Sequence, residues 1–215
     1  MAAGFCLDML LDPHLVEVWC DAHDDIVLVR GQAPHQLVEF VQVKSNDPNQ
    51  YWSMALLTER DLAAKVISKT PANGATVPAR RPRCLLEKSL AHDRCDEEVA
   101  FRVVSLAPLN RDLKLLTYPL GHEDRGIDST AFQALCHLAP DKIKNFQSGN
   151  GNDYRFWLQR TLWETAPEPK KLERLNGEVL SRALEAEGHS LLGAQRKEIY
   201  LRLLRKVKEA GDALD

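Results

Sequence analysis

The sequence lacks several features that would assign it to a familiar class of protein. No apolar run approaches the roughly 20 residues needed to cross a bilayer, and the N-terminus has neither the basic start nor the long apolar stretch of a signal peptide. A Walker loop, a Rossmann glycine pattern and a GxSxG elbow are all missing. We therefore expect a cytoplasmic protein that does not enter a membrane and is none of the enzymes built on those loops.

Cysteine is scarce and scattered. The five cysteines include no CxxC pair, and no histidine stands at zinc-finger spacing from two of them. Free cysteine usually packs as a small apolar side chain. The pattern therefore predicts reduced, structural cysteines rather than a zinc or redox site.

Basic residues are rare in the first part of the chain. Residues 1–59 contain two basic and nine acidic residues, residues 60–125 contain twelve and nine, and residues 126–215 contain fourteen and thirteen. Because phosphate contact requires lysine and arginine, a DNA-binding surface would come from the middle and C-terminal parts. An acid-rich segment with one embedded lysine, Lys44, suits a metal site better than a phosphate groove. The alternative is a solvated acidic face.

Three strands are predicted near the N-terminus from β-branched and aromatic runs. Residues 15–20, 25–30 and 37–44 have this composition, with turn-forming residues between them. Because the connections are only four and six residues long, the three strands should form an antiparallel meander. Residues 99–105 form a further predicted strand.

The rest of the chain has mainly helical patterns, and an exposed basic loop is predicted at 68–83. The predicted helices are a short N-terminal helix that residues 7–11 close, and residues 51–64, 85–91, 129–137, 152–163, 172–186 and 195–210. Glu87 and Lys88 are expected to face solvent. The order of elements predicts an α+β fold in which residues 1–125 form the core and residues 126–215 form a helical C-terminal part packed on it.

Asp25 opens the second predicted strand, and Gln42 and Lys44 end the third. Side chains alternate along a strand, so Gln42 and Lys44 should point to one face and Val43 to the other. In an antiparallel pair the start of one strand lies beside the end of its neighbour, so Asp25 should lie close to both. This arrangement predicts a cluster of a carboxylate, an amide oxygen and an ammonium group.

Such a cluster suits phosphodiester hydrolysis by three catalytic residues, Asp25, Gln42 and Lys44. Mg²⁺ prefers octahedral oxygen coordination, polarises a bound phosphate and lowers the pKa of water. Asp25 is the predicted metal anchor, with the Gln42 amide oxygen and the Val43 backbone carbonyl as further ligands. Lys44 is predicted to position the attacking water and to offset charge on the phosphate in the transition state. The predicted metal is Mg²⁺, with Mn²⁺ as the alternative.

The residues around this cluster resemble a known family, the double-stranded DNA endonuclease domain of CD-NTase-associated effectors in bacterial anti-phage defence. The similar segments are residues 20–27, 41–45, 85–90, 101–105 and 109–113. The QxK motif alone is unspecific, but the segments follow in order and extend the resemblance over most of the chain. The resemblance implies a restriction-endonuclease-like core of the PD-(D/E)xK type, metal-dependent cleavage of double-stranded DNA and a role in phage defence.

The sequence departs from the family pattern in two ways. Family members generally carry a longer N-terminal helix, often with a further active-site acid. Here Asp8, Glu17 and Asp21 are the candidates for a second carboxylate, and Asp21 is added to the predicted metal ligands. The best-known effectors also carry a domain that senses cyclic oligonucleotides, for which 215 residues leave little space.

Three functions are therefore open. The favoured one is a metal-dependent DNA endonuclease. The second is a catalytically incomplete, nuclease-like scaffold or adaptor for a DNA-translocating ATPase, which the short N-terminus supports. The third is an RNA- or nucleotide-directed hydrolase on the same core, because a fold does not fix its substrate.

A broad apolar stripe in the last predicted helix indicates core packing or an oligomer contact. Its members are Ile199, Tyr200, Leu203, Leu204 and Val207. A small protein with net charge −3 holds DNA weakly as a monomer, whereas several copies side by side gain avidity. We expect double-stranded DNA as a partner, and either a homo-oligomer or a complex with a hexameric DNA-translocating ATPase.

Overall fold

The computed structural model describes residues 1–20, 25–32, 34–44, 49–59, 84–190 and 192–212. The turn at 21–24, the basic loop predicted at 68–83 and the end of the helix predicted at 51–64 lie outside these residues. The helices are α1 (Ala2–Asp8), α2 (Met54–Leu57), α3 (Leu85–Leu90), α4 (Thr130–His137), α5 (Asp141–Lys144), α6 (Tyr154–Arg160), α7 (Pro169–Ala186) and α8 (Gly193–Asp212). None of these described helices has the length and apolar character needed to cross a membrane.

Five strands form one mixed sheet in the order β1–β2–β3–β4–β5. The strands are β1 (Leu15–Cys20), β2 (Asp25–Arg30), β3 (Leu37–Lys44), β4 (Glu98–Ser105) and β5 (Thr161–Thr165). The first three pair antiparallel, which confirms the predicted meander, and β4 and β5 run parallel to β3. The helical segments before β4 and β5 supply the long crossovers that parallel strands require. The fold is therefore a mixed α+β fold with helices flanking a sheet.

The fifth strand corrects the sequence prediction. Residues 152–163 have helical composition, but α6 ends at Arg160 and β5 begins at the next residue. Trp163 pairs with Val103 of β4 and is almost fully buried. Packing within the sheet therefore outweighs the local helical preference of this segment.

One face of the sheet packs against α1 through a buried apolar cluster. Its buried members are Phe5, Leu15, Ile26, Leu28, Val41 and Val104. Val43 packs against the same cluster. Because side chains alternate along β3, Gln42 and Lys44 point to the opposite face from Val41 and Val43.

The chain divides into two compact units. The first contains Met1–Tyr51, Asp96–Pro108 and Thr161–Asp215, and the second contains Trp52–Cys95 and Leu109–Arg160. The whole sheet, α1, α7 and α8 therefore belong to the first unit. The boundary predicted at residue 125 falls inside the second unit, and the division into 1–125 and 126–215 stays a prediction.

Within the second unit, a buried arginine binds the ends of two helical segments. Arg125 donates hydrogen bonds to the main-chain carbonyls of Leu115 (3.1 Å), Tyr118 (3.2 Å), Leu158 (2.9 Å) and Gln159 (2.8 Å). These carbonyls lie at the C-terminal ends of a 3-10 helix, Arg111–Thr117, and of α6. Carbonyls at the C-terminal end of a helix carry partial negative charge and attract a cation. Burial lowers the pKa of Arg125 to about 10.

Within the first unit, α7 and α8 pack against each other and against α1. Leu180 and Tyr200 form a buried cluster with Leu7, and Asn176 Nδ2 donates to the Tyr200 hydroxyl at 2.9 Å. The apolar stripe of the last helix is therefore used for internal packing at Tyr200, while Leu204 is 39% exposed. The assembly expected from this stripe stays a prediction.

Candidate active site

The start of β2 lies beside the end of β3. Asp25 and Gln42 are register partners in the antiparallel pair, and Gln42 is paired with Val103 of β4 on its other side. Directly opposed residues in an antiparallel pair have Cα atoms roughly 4.5–5.5 Å apart. The backbone therefore brings positions 25 and 42 together, as the sequence predicts. The contact between their side chains stays a prediction.

Lys44 ends β3 two residues after Gln42, on the same face of the sheet, and is half-buried. Its register partner in β4 is Ser105, which is paired in turn with Thr165 of β5. Because these three strands are parallel, their last residues mark one edge of the sheet, here called the carboxyl edge (Lys44, Ser105 and Thr165). The buried Ser105 hydroxyl accepts a hydrogen bond from the Ala107 N–H at 3.1 Å.

Ser105 is a polar residue beside Lys44 that no sequence motif indicates. The strand itself is predicted, but its position beside β3 depends on a parallel crossover that no local pattern reveals. A search for polar residues at the ends of all predicted strands would have found it. Sequence spacing alone could not place it next to Lys44.

Gln42 is buried, and none of the described residues donates a hydrogen bond to its oxygen. The residue is 3% exposed, and Oε1 accepts no hydrogen bond from any described residue. A buried acceptor without a partner costs about 1–3 kcal/mol, so such groups are rare in native proteins and call for an explanation. A partner of this oxygen outside the described residues would explain it, and the predicted metal is one such partner.

The opposite face of the same strands carries an ion network built around Arg102. Arg102 donates to Glu39 from Nε at 2.8 Å and from Nη2 at 3.0 Å, and to Glu164 from Nη1 at 2.7 Å. Burial lowers the pKa of Arg102, but the two carboxylates outweigh burial and raise this pKa above its ordinary value. Arg30 Nε lies 3.6 Å from Glu39. Glu39 is thus committed to a structural cluster away from Gln42.

Asp8, the first candidate for the second carboxylate, belongs to this arginine-containing face. It ends α1, the helix that packs on the face opposite Gln42. Loss of solvent raises the pKa of Asp8 above its ordinary value, while the charges of Arg30 and Arg102 act to lower it. The structure therefore does not bring Asp8 to the predicted site.

Glu17 and Asp21 are the other two candidates. Glu17 pairs with Val29, which is four residues along β2 from Asp25 and therefore roughly 13 Å away at strand spacing. Its carboxylate accepts a hydrogen bond from Trp19 Nε1 at 2.6 Å. Asp21 lies outside the described residues. Glu17 is thus distant from Gln42, and Asp21 stays a prediction.

The residues at this position fit the predicted metal. A carboxylate, an amide oxygen and a main-chain carbonyl, as expected from Asp25, Gln42 and Val43, are oxygen ligands of the type that Mg²⁺ prefers. Gln42 Oε1 is an acceptor to which no described residue donates. The Val43 side chain packs toward the apolar cluster, so its main chain is the part that can serve this site. Among the described side chains, no group of three His, Cys, Asp or Glu residues converges to hold a metal.

The structure defines a mixed α+β protein in which helices flank a five-stranded sheet. A family model described as the Cap4 dsDNA endonuclease domain matches residues 1–211. The chain belongs to this family. No curated protein matches it at a significant level of sequence similarity.

Solved structures of Cap4 proteins share the fold. A Cap4 SAVED/CARF-domain containing receptor of Acinetobacter baumannii, with the cyclic trinucleotide 3'3'3'-cAAA, matches with a TM-score of 0.59 and 12% identity over 98% of this chain and 39% of that chain. The corresponding receptor of Moraxella osloensis matches with a TM-score of 0.55 and 10% identity over 98% of this chain and 41% of that chain. The chain thus spans about two fifths of the length of the structures it matches.

Proposed function

We propose that the protein is a metal-dependent endonuclease that hydrolyses phosphodiester bonds of double-stranded DNA in anti-phage defence. Membership of the Cap4 dsDNA endonuclease family supports the class of enzyme and the defence role. One observation carries the active-site assignment: the buried, unsatisfied oxygen of Gln42 lies beside the register position of Asp25 and on the face of Lys44. We further propose a restriction-endonuclease-like core of the PD-(D/E)xK type.

Asp25, Gln42 and the Val43 carbonyl would hold Mg²⁺ or Mn²⁺, with Asp25 as the charged anchor. Bound there, the metal supplies Lewis-acid polarisation of the scissile phosphate and a more acidic attacking water. Gln42 contributes a neutral oxygen in a position where a charged glutamate would add a second negative charge. The buried setting of Gln42 excludes bulk water, which strengthens each electrostatic interaction at the site.

Lys44 holds a positive charge at the carboxyl edge, one strand position beyond the ligand set. Its ammonium group orients the attacking water by hydrogen bonding and offsets the charge that grows on the phosphate oxygens. Its half-buried position restricts the side chain, so the charge is held in place before the substrate arrives. A solvated lysine on a loop would lack this preorganisation.

The runner-up function, a catalytically incomplete scaffold or adaptor for a DNA-translocating ATPase, is favoured by a specific observation. Asp8, the candidate acid from the N-terminal helix, faces the arginine network instead of Gln42. If Asp21 does not supply the second carboxylate, the ligand set has a single acid. The scaffold and the enzyme differ in one measurable property, cleavage.

The deciding experiment incubates supercoiled plasmid and linear duplex DNA with purified protein in Mg²⁺, in Mn²⁺ or in EDTA. We expect nicking and linearisation with either metal and none with EDTA. Asp25→Ala should abolish cleavage while the protein stays folded, and Glu198→Ala, which removes an exposed acid of α8, should cut like the wild type. Wild-type protein that is folded but cuts neither substrate would establish the scaffold. Full activity of Asp25→Ala would refute the site.

A further inference from the structure

A groove of about 400 Å³ runs between α7 and α8 and contains none of the proposed catalytic residues. Its charged lining residues are Lys170, Glu173, Arg174, Glu178, Arg196 and Lys197. Four cations thus face two carboxylates, and one of these carboxylates is already paired, since Arg174 Nη1 lies 2.7 Å from Glu178. The groove therefore has an excess of positive charge in a chain whose net charge is −3.

Arg196 is held in this groove with part of its hydrogen-bonding capacity unused. Its Nη1 donates to the Ser181 hydroxyl at 2.6 Å, which fixes the guanidinium against α7. Its Nε is buried, and no described residue accepts a hydrogen bond from it. The buried Nε faces the protein interior, whereas the guanidinium as a whole is a fixed, permanently charged group lining the groove. Such a group suits an anion, because guanidinium geometry matches phosphate oxygens.

The groove is joined to the carboxyl edge of the sheet by a short segment of chain. Thr165 is the last residue of β5 and is separated from Lys44 by two strand spacings, or roughly 10 Å. Lys170 follows Thr165 by five residues, which span at most about 17 Å. One end of the groove therefore lies within about 17 Å of Thr165 at the carboxyl edge, and α7 and α8 pack on the side of the sheet that α1 covers.

We infer that the groove between α7 and α8 binds the phosphodiester backbone of the DNA substrate, outside the catalytic site; this inference rests on the proposed function. The groove extends along α7 from Lys170 to Ser181, over about 16 Å at helical rise. A single small anion would need the cations to converge on one point, whereas a strand backbone matches a row of them.

The test measures DNA binding in EDTA, so that no cleavage is needed, across about 50–200 mM salt. The groove variant is Lys170→Gln/Lys197→Gln, and the matched control is Arg205→Gln/Lys208→Gln. The control removes two exposed charges of α8 that do not line the groove. Each lost phosphate contact lowers the salt slope by about 0.9, so we expect a reduction of about 1.8 for the groove variant and none for the control. When salt is raised across this range, the factor by which DNA affinity falls should be about ten times smaller for the groove variant than for the wild type.

The outcomes separate this inference from the proposed function. The inference that the groove binds DNA would be overturned if the groove variant, the control and the wild type had equal salt slopes. This holds whether or not the protein cuts DNA. Absence of any DNA binding by the wild type would overturn it too. A reduced slope in the groove variant supports the groove, even if the wild type proves unable to cleave.

Discussion

The two faces of β3 differ in whether their buried polar side chains have hydrogen-bond partners. On the face that packs against α1, the buried Glu39 receives two hydrogen bonds from Arg102. On the other face, the equally buried Gln42 has an oxygen that no described residue satisfies. The two residues are close together in one strand, so burial alone does not explain the difference.

The comparison distinguishes a polar group kept for the fold from one kept for function. A buried carboxylate must be paired, because a lone charge in the interior costs several kilocalories per mole. Glu39 meets this requirement within the chain. The unsatisfied oxygen of Gln42 carries a smaller free-energy cost, which no described residue offsets. Natural proteins retain such costs mainly at functional sites, where a ligand or a reaction can offset them. Substitutions on each face can therefore test this distinction.

The largest effect on stability is expected from removing the Glu39–Arg102 ion pair. Arg102→Met leaves Glu39 buried without its main cation, which should lower the free energy of unfolding by about 3–5 kcal/mol. Urea unfolding followed by circular dichroism measures this loss. Because replacing both members of a buried pair is far milder than removing one, Glu39→Leu/Arg102→Met should recover much of the stability. A loss below about 1 kcal/mol in the single variant would fit a solvated pair instead.

The next effect concerns rate and not stability. Lys44→Ala should slow DNA cleavage by about 10²–10³-fold, equivalent to about 2.7–4 kcal/mol of transition-state stabilisation. Steady-state cleavage of a plasmid at saturating Mg²⁺ measures the rate, with Lys208→Ala as the control for loss of one exposed lysine. Lys44→Arg keeps the charge but changes its geometry, so it should fall between Lys44→Ala and the wild type. A Lys44→Ala protein that cuts at the wild-type rate would contradict the assigned role.

Much of the first unit follows from sequence because its signals are local. The strands 15–20, 25–30 and 37–44 are predicted with the bounds that the structure gives them. Short connections then force antiparallel pairing, and the pairing fixes the register of Asp25 with Gln42. A strand period of two places Gln42 and Lys44 on one face without any further information.

The remaining parts depend on interactions between distant segments, which local patterns do not encode. The residues of β5 have a helical composition, and they form a strand because they pair with β4. Glu87, expected to face solvent, is fully buried in α3. The role of Glu39 is likewise invisible, because its partner Arg102 is 63 residues away in the chain. The unsatisfied Gln42 oxygen can be recognised only once the surrounding atoms are placed.

The smallest effect, and the most direct test of the unpaired face, is expected at Gln42. Gln42→Met keeps the length of the side chain and removes the unsatisfied oxygen, so stability in EDTA should rise by about 1 kcal/mol. The same variant should cut DNA poorly, since it lacks the proposed ligand oxygen. A stabilised but impaired variant is the expected signature of a residue retained for function.

Added metal should reverse the order of stability of the two proteins. A ligand that binds only the folded state stabilises it by RT ln(1 + [L]/Kd), or about 1.4 kcal/mol at about ten times Kd. The wild type should gain this amount on titration with Mg²⁺, whereas Gln42→Met should gain much less, as measured by urea unfolding in each condition. If the variant is destabilised in EDTA, the oxygen has a partner within the protein and the two faces of β3 do not differ. If both proteins gain equally from Mg²⁺, the metal binds without Gln42, and the unsatisfied oxygen has another cause.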